Sequence, residues 1–418
     1  MVEIGVAPEE AKQRLEQLGT VDLVIGLVDP KALQNVETVA ATIRRALDTL
    51  SQSTRAVVVF HREAAGTAAA ASLERLESES LRLVTYSLPA VDTSVTAAQT
   101  VAATYRVLAN FSSLLTARVC VVIASSMESV TPEWIQGLAQ PVLEHGMDVV
   151  APCYAPRKFE GLLNSGIFYP LTRALFGKRL QHPLGPDFGL SARLFDALLE
   201  IDHAKQRTGG QFVLIGPEAI ARGFNVSQAW LGKRIYPSID WKNVDSALAE
   251  ILGPLFIAVE QHAPFWQHIR ASEPVPTYGD PLPLAEESFA VDTHRLLESF
   301  RLGARNLQDI WVLVLPPTTL LELKKADRLP AEEFRIPDEL WVRIVYDFAL
   351  AHRLRTIARD HLLRAMTPLY FGWLASYARQ VETAGAAVGK YLESLCTAYE
   401  NAKPYFVSRW RWPDRFNA

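Results

Sequence analysis

The stretch Val21-Asp-Leu-Val-Ile-Gly-Leu-Val28 is apolar at every position but one and glycine-containing at another. A strand with one face in water alternates apolar and polar side chains, whereas a strand covered on both faces does not, so this run reads as a buried strand of a parallel sheet. The same texture returns in Arg55-Ala-Val-Val-Val-Phe60, Arg82-Leu-Val-Thr-Tyr86, Arg118-Val-Cys-Val-Val-Ile-Ala124 and Asp148-Val-Val-Ala151. Segments with apolar residues at helical spacing separate them, at 33 to 50, 67 to 79, 94 to 115 and 132 to 145, after an opening helix at 11 to 18. Strand alternating with helix predicts an α/β fold, a Rossmann-like, mostly parallel sheet with helices on both faces.

Residues 151 to 250 are mixed: a helix over about 162 to 176, a glycine-containing turn at Leu184-Gly-Pro-Asp-Phe-Gly189, a helix from Ser191, another at 217 to 222, and the strand-like Asn225-Val-Ser-Gln-Ala-Trp230. The segment Glu273-Pro-Val-Pro-Thr-Tyr-Gly-Asp-Pro-Leu-Pro283 carries four prolines and a glycine and is expected to hold no regular structure. Beyond it Trp341, Ile344, Val345 and Phe348, then Leu362, Leu363, Met366, Leu369, Tyr370 and Trp373, recur at helical spacing and predict a helical bundle. The expected division is an α/β domain over 1–272, a linker over 273–283 and an all-helical C-terminal domain over 284–418.

With 49% hydrophobic and 21% charged residues among 418, the chain has the composition of a folded globular protein. Its 42 basic and 46 acidic residues are too evenly matched for a nucleic-acid partner to be expected. Cys120, Cys153 and Cys396 lie far apart in no metal-ligand spacing and are expected to be buried free thiols. The opening MVEIGVAPEEAKQRLEQLG lacks the pattern of a signal peptide, and the longest apolar stretch, Met366 to Ala378, is too short to span a bilayer. A cytoplasmic location with no membrane span is the expectation.

In an open parallel sheet the ligand site lies beyond the carboxyl ends of the strands. After the strand 118–124 comes Thr131-Pro-Glu-Trp-Ile135; further on stand Tyr169-Pro-Leu-Thr-Arg-Ala-Leu-Phe-Gly-Lys-Arg179, Gly185-Pro-Asp-Phe-Gly-Leu-Ser191, Gly223-Phe-Asn-Val-Ser-Gln-Ala-Trp-Leu-Gly232, Asp338-Glu-Leu-Trp-Val-Arg-Ile-Val-Tyr-Asp347 and His361-Leu-Leu-Arg-Ala-Met-Thr-Pro-Leu-Tyr370. In their order and spacing these resemble retaining glycosyltransferases of the A-type (GT-A) fold, similar to glucosyl-3-phosphoglycerate and mannosylglycerate synthases and their bacterial relatives of unassigned acceptor. The resemblance spans nearly the whole chain. It implies a nucleotide-sugar donor and a divalent Mg²⁺ or Mn²⁺ ion that helps a diphosphate leave.

The departures from that pattern are concentrated on the donor side. Where the family carries an Asp-x-Asp metal motif, this chain has Ala124-Ser125-Ser126, and where a metal-binding histidine usually follows the Gln-Ala-x-Leu-Gly segment it has Arg234-Ile-Tyr236. The polar residues after the first strand stand as Val28-Asp-Pro-Lys31, the turn after the second as His61-Arg-Glu-Ala-Ala-Gly-Thr67, and the turn after the third as Ala90-Val-Asp92. Glu128 is the one nearby carboxylate, too little for a Mg²⁺ site without substrate phosphates. No protein-held metal is therefore expected. Glu133, behind Thr131 and Pro132, reads as part of a helix start.

Asp187 stands where the resemblance places an acidic residue near the sugar or acceptor, and the competing reading is a turn or cap residue. Lys158 is a second candidate for that side. Arg173, Lys178 and Arg179 are candidates for diphosphate contact in place of a cation, against the plainer reading of solvated helix charge. His182 and His203 lie close by in sequence and lack a catalytic partner. The tail Arg409-Trp-Arg-Trp-Pro-Asp-Arg-Phe416 interleaves aromatic and basic groups, with packing against the body favoured over contact with a membrane surface or a stacked base. Two functional readings follow. One is a non-catalytic binding or partner subunit with a decayed donor site, forming an oligomer, either with itself or with an active relative. The other is a metal-independent retaining transferase.

Overall fold

The structure is a computed structural model that describes residues 9–28, 36–50, 54–61, 76–86, 97–185, 187–204, 214–236, 244–285, 291–384 and 388–413. From the N-terminus run α1 (Glu9–Leu18), β1 (Leu23–Leu27), α2 (Val36–Leu50), β2 (Ala56–His61), β3 (Leu81–Tyr86), α3 (Ala97–Leu114), β4 (Val119–Ile123), α4 (Pro132–His145) and β5 (Val149–Tyr154). A π-helical turn (Asn164–Phe168) leads into α5 (Tyr169–Phe176), then β6 (Phe188–Ser191), α6 (Ala192–Ala204), α7 (Ile215–Ala221), β7 (Val226–Gly232), α8 (Val244–Gln261), α9 (Ala263–Trp266) and β8 (Thr277–Tyr278). Helices follow: α10 (Thr293–Asn306), α11 (Gln308–Val314), α12 (Pro317–Arg328), α13 (Asp338–Leu354), α14 (Arg359–Ala365), α15 (Thr367–Ala384) and α16 (Val388–Arg411). The expected helix near 67 to 79 falls largely outside the described residues.

Two compact units interleave along the chain. The first takes Met1–Ala155, Leu180–Tyr236 and Pro274–Pro283; the second takes Pro156–Arg179, Pro237–Glu273 and Leu284–Ala418. The helical unit thus includes α5, α8 and α9 as well as everything after residue 284.

In the first unit the strands form one sheet in the order β3-β2-β1-β4-β6-β5-β7-β8. Every pairing is parallel except those of β6, which runs antiparallel to both β4 and β5. The mostly parallel sheet expected from the apolar runs is present, and β1, β4 and β5 are buried along their full length. Leu23, Ile25 and Leu27 face α2 and α4, where Ile43, Trp134, Ile135 and Leu138 complete one core layer. The alternate residues face α3: a Cβ on Gly26 would stand 2.3 Å from a methyl of Leu108, so this helix rides directly on β1. Burying a Leu or Ile side chain in such a layer contributes about 1.5–3 kcal/mol.

Helix α4 begins at Pro132 and stops at Gly146, whose φ of 64° ends it in the left-handed region. Thr131 occupies the N-cap position without a side-chain cap bond. Glu133's own backbone N–H, and then the Thr131 hydroxyl, bond the Glu133 carboxylate and hold it below its usual range.

Two expectations need correction. The turn 184–189 yields halfway to a strand: Phe188–Ser191 is β6, inserted between β4 and β5. A side chain at Gly189 would lie 1.8 Å from the Leu138 carbonyl, so the sheet closes onto α4 only through glycine. The proline-rich stretch holds β8, two residues pairing with β7, with the Pro276 carbonyl accepting from the Gln228 N–H. A sheet edge tolerates proline because its outer N–H has no ladder partner to lose.

The second unit is built around aromatic rings. Trp341 and Trp373 are wholly buried and stacked at 5.5 Å, core residues as expected from their spacing. Trp341 Nε1 and the Tyr399 hydroxyl both donate to the buried Gly166 carbonyl of the π turn, at 3.0 and 3.1 Å. In the tail, Trp410 is buried on Trp266 and Arg409 is ion-paired with buried Asp347, whereas Trp412 is exposed and 414–418 lie outside the described residues. Cys120, Cys153 and Cys396 are free and buried. Among the described residues no helix is long and apolar enough to cross a membrane.

Candidate functional site

The carboxyl ends of β4, β5 and β7 converge in the first unit. Because β6 runs the other way, it brings to that end the residue that precedes it, Asp187. The loop leading there is pinned: the Gln181 N–H donates to Gln228 Oε1 at 3.0 Å, the Gly185 N–H to the His182 carbonyl at 3.1 Å, and a Cβ at Gly185 would strike Pro152 of β5 at 2.7 Å.

Asp187 has no exposed surface. Its Oδ1 accepts from the N–H groups of Ala124 and Ser125, both at 2.9 Å, and its Oδ2 from the Ser125 hydroxyl at 2.6 Å and the Tyr154 hydroxyl at 2.5 Å. Four donors on one carboxylate compensate the loss of water that burial imposes on the charge. The acid expected near the sugar or acceptor thus faces the backbone of Ala124 and Ser125. Burial, and then the Asp187 charge, push the hydroxyls of Tyr154 and nearby Tyr105 well above the usual tyrosine range, so both remain protonated.

Tyr154 is the hub of this end of the sheet. Its ring meets Trp134 at 5.5 Å and His182 edge-on at 4.9 Å. The guanidinium of Arg234 lies 5.3 Å from the Tyr154 ring centroid and 4.6 Å from that of Tyr236, two aromatic faces on one cation. A register shift at Cys153/Tyr154 pairs Tyr154 with Gly232, and the next segment is tied back by the Ile235 N–H donating to Ser129 Oγ at 2.9 Å. Partly buried His182 is pushed down to about 3, by burial first and by the Arg234 charge second, and so is neutral.

Of the expected site residues, the structure therefore brings together Ala124, Ser125, Ser126, Asp187 and Tyr236. Lys158, Arg173, Lys178 and Arg179 belong to the second unit. Arg173 is buried there, with Nη1 and Nη2 donating to Glu393 at 2.7 Å each and Nε to Glu400 at 2.9 Å. Those two carboxylates outweigh the effect of burial and raise the guanidinium above its usual range. Lys178 pairs with Glu273, Arg179 Nε donates to Ser272 Oγ at 3.1 Å, and the Lys158 carbonyl accepts from Tyr377 at 2.7 Å. Tyr154 lies past Asp148-Val-Val-Ala151, the run by which the sequence marks β5, so spacing does not mark it as a site residue. The polar tip of an otherwise apolar strand was the available signal.

The described residues do not fit a divalent ion. Among them no group of three His, Cys, Asp or Glu is placed to hold a metal, Glu128 is exposed, and Asp187 has both oxygens engaged. Apart from Val28 and His61, the segments 28–31, 61–67 and 90–92 lie outside the described residues.

No family model and no curated protein matches the chain. Among solved structures it is similar to glucosyl-3-phosphoglycerate synthase from Mycobacterium tuberculosis in complex with Mn²⁺, UDP-glucose and phosphoglyceric acid, at 18% identity and a TM-score of 0.36, covering 60% of this chain and 84% of that one. It is also similar to mannosyl-3-phosphoglycerate synthase from Rubrobacter xylanophilus, at 18% identity and a TM-score of 0.39, covering 62% of this chain and 80% of that one.

Proposed function

We propose that this chain is a glycosyltransferase-family protein whose donor site no longer works with a metal, and that it acts as a non-catalytic binding or partner subunit. The observation that supports this reading is the use of Asp187. The carboxylate nearest the former metal motif is buried and holds Ala124, Ser125 and Tyr154, so it cannot also hold a cation. A departing diphosphate concentrates negative charge, and losing its counter-charge adds several kcal/mol to the barrier, on the order of hundreds-fold in rate or more. Calorimetric titration with UDP-, GDP- and ADP-sugars, with and without Mn²⁺, tests it. Metal-dependent micromolar binding, or turnover of any donor, would falsify the proposal.

The second reading is a metal-independent retaining transferase. Arg234, fixed on two tyrosine faces beside the altered motif, favours it, because a guanidinium can neutralise phosphate oxygens without an ion. It predicts donor binding that is indifferent to EDTA and is lost in Arg234→Gln.

A further inference from the structure

Among the described residues, large aliphatic side chains reach solvent most fully in one part of the helical unit. Leu302 of α10, Val312 and Leu313 of α11 and Leu321 of α12 are 52, 54, 58 and 55% exposed, and the three consecutive helices pack on one another. Local anchoring explains the display. Helix α10 passes into α11 at Leu307, and buried Trp311 fixes α11 by donating its Nε1 hydrogen to the Ala365 carbonyl at 3.0 Å. Val314 is buried as well, so the two residues between these anchors are turned outward.

Helix α12 has a matching face. Leu321, Lys324, Lys325 and Arg328 are spaced by three, four and seven residues, share one side of the helix, and are all exposed, while Thr319, Leu323 and Ala326 are buried on the other. Glu322 is held by Arg343 Nη2 through both carboxylate oxygens, at 2.9 and 2.7 Å, which offsets its charge. Exposed Arg305 closes the last turn of α10. Helices α10 to α12 carry six Lys or Arg against four Asp or Glu, in a chain whose net charge is −4.

We propose that α10 to α12 form a docking surface for an anionic lipid bilayer. Aliphatic side chains at such a surface enter the boundary of the acyl region while lysine and arginine lay their methylene stems along it and reach lipid phosphates. Charge selects this occupant over a second copy of the chain, since a two-fold contact would set the Lys324, Lys325 and Arg328 face against itself. With no membrane-crossing helix among the described residues, attachment by this surface is peripheral.

Vesicle flotation of the full chain tests the proposal. Binding is expected to vesicles of phosphatidylglycerol and phosphatidylcholine and not to phosphatidylcholine alone, and it weakens as salt is raised. Leu313→Asp with Leu321→Asp, and separately Lys324→Glu with Lys325→Glu, should each reduce it at least ~10-fold with the melting temperature retained. Leu313→Ser gives the same direction should the aspartate pair fold poorly. Failure to float with anionic vesicles, equal flotation of the variants, or a concentration-dependent dimer dispersed by Leu313→Asp would each overturn it.

Discussion

The hydroxyl of Tyr154, at the end of β5, donates to the Asp187 carboxylate at 2.5 Å, joining two residues 33 positions apart into one buried network with Ser125. Removing the acid leaves two backbone N–H groups and two hydroxyls without an acceptor. Asp187→Ala should therefore destabilise by about 3–5 kcal/mol, and Tyr154→Phe, which deletes one donor of four, by about 1 kcal/mol. Urea denaturation reads both. Equal effects would show that the network is not centred on Asp187.

Acid should weaken the fold through two histidines. His182 is pushed down to about 3, and His352 to about 4 by burial and then by Arg359 and Arg355, from an ordinary 6.5. Between those values the unfolded chain binds protons that the folded chain refuses, so their contribution is complete above about pH 6.5 and is lost as pH falls through that window. A loss of about 2 kcal/mol between pH 7 and 4.5 is expected, after discounting for the partial exposure of His182. His182→Gln should flatten the profile.

Arg173 separates a structural from a ligand-binding role. Its guanidinium is buried against Glu393 and Glu400, whose carboxylates reach solvent, so truncating the arginine costs about 1.5–3 kcal/mol. Arg173→Ala is expected to lower the melting temperature and to leave any sugar-nucleotide affinity where it was. A selective loss of affinity at unchanged stability would give this residue the diphosphate contact.

Gly189 offers a steric test, since Gly189→Ala would place a methyl group 1.8 Å from a backbone carbonyl of α4. Main chain cannot swing aside as a side-chain tip can. A destabilisation of about 3 kcal/mol or more, or failure to accumulate as soluble protein, is expected.

Much of the sheet was legible because its strands are apolar along their length, as in Leu23–Leu27 and Val119–Ile123. Helix α4 was legible to the residue, because Pro132 and Gly146 mark its ends. Strand β6 was not: four residues with a glycine inside carry no periodicity, and its direction comes from its neighbours. The expected role of Asp187 rests on the family resemblance, and its partners lie 33 to 63 positions away. Arg173 has the same difficulty on a larger scale, its carboxylates being 220 and 227 residues distant. Arg234 lies over the ring of Tyr154, 80 positions away and past a register shift at Cys153/Tyr154 that no spacing rule announces.

The reversed direction of β6 also makes chain length critical just before it. Asp187 directly precedes Phe188, the first residue of β6, and side chains alternate sides along a strand, so a residue inserted between the two would swing the acid away from its four donors, leaving them stranded in a dry interior. Insertions that surface loops absorb are intolerable at this spot, and natural variation in this segment should proceed by substitution alone.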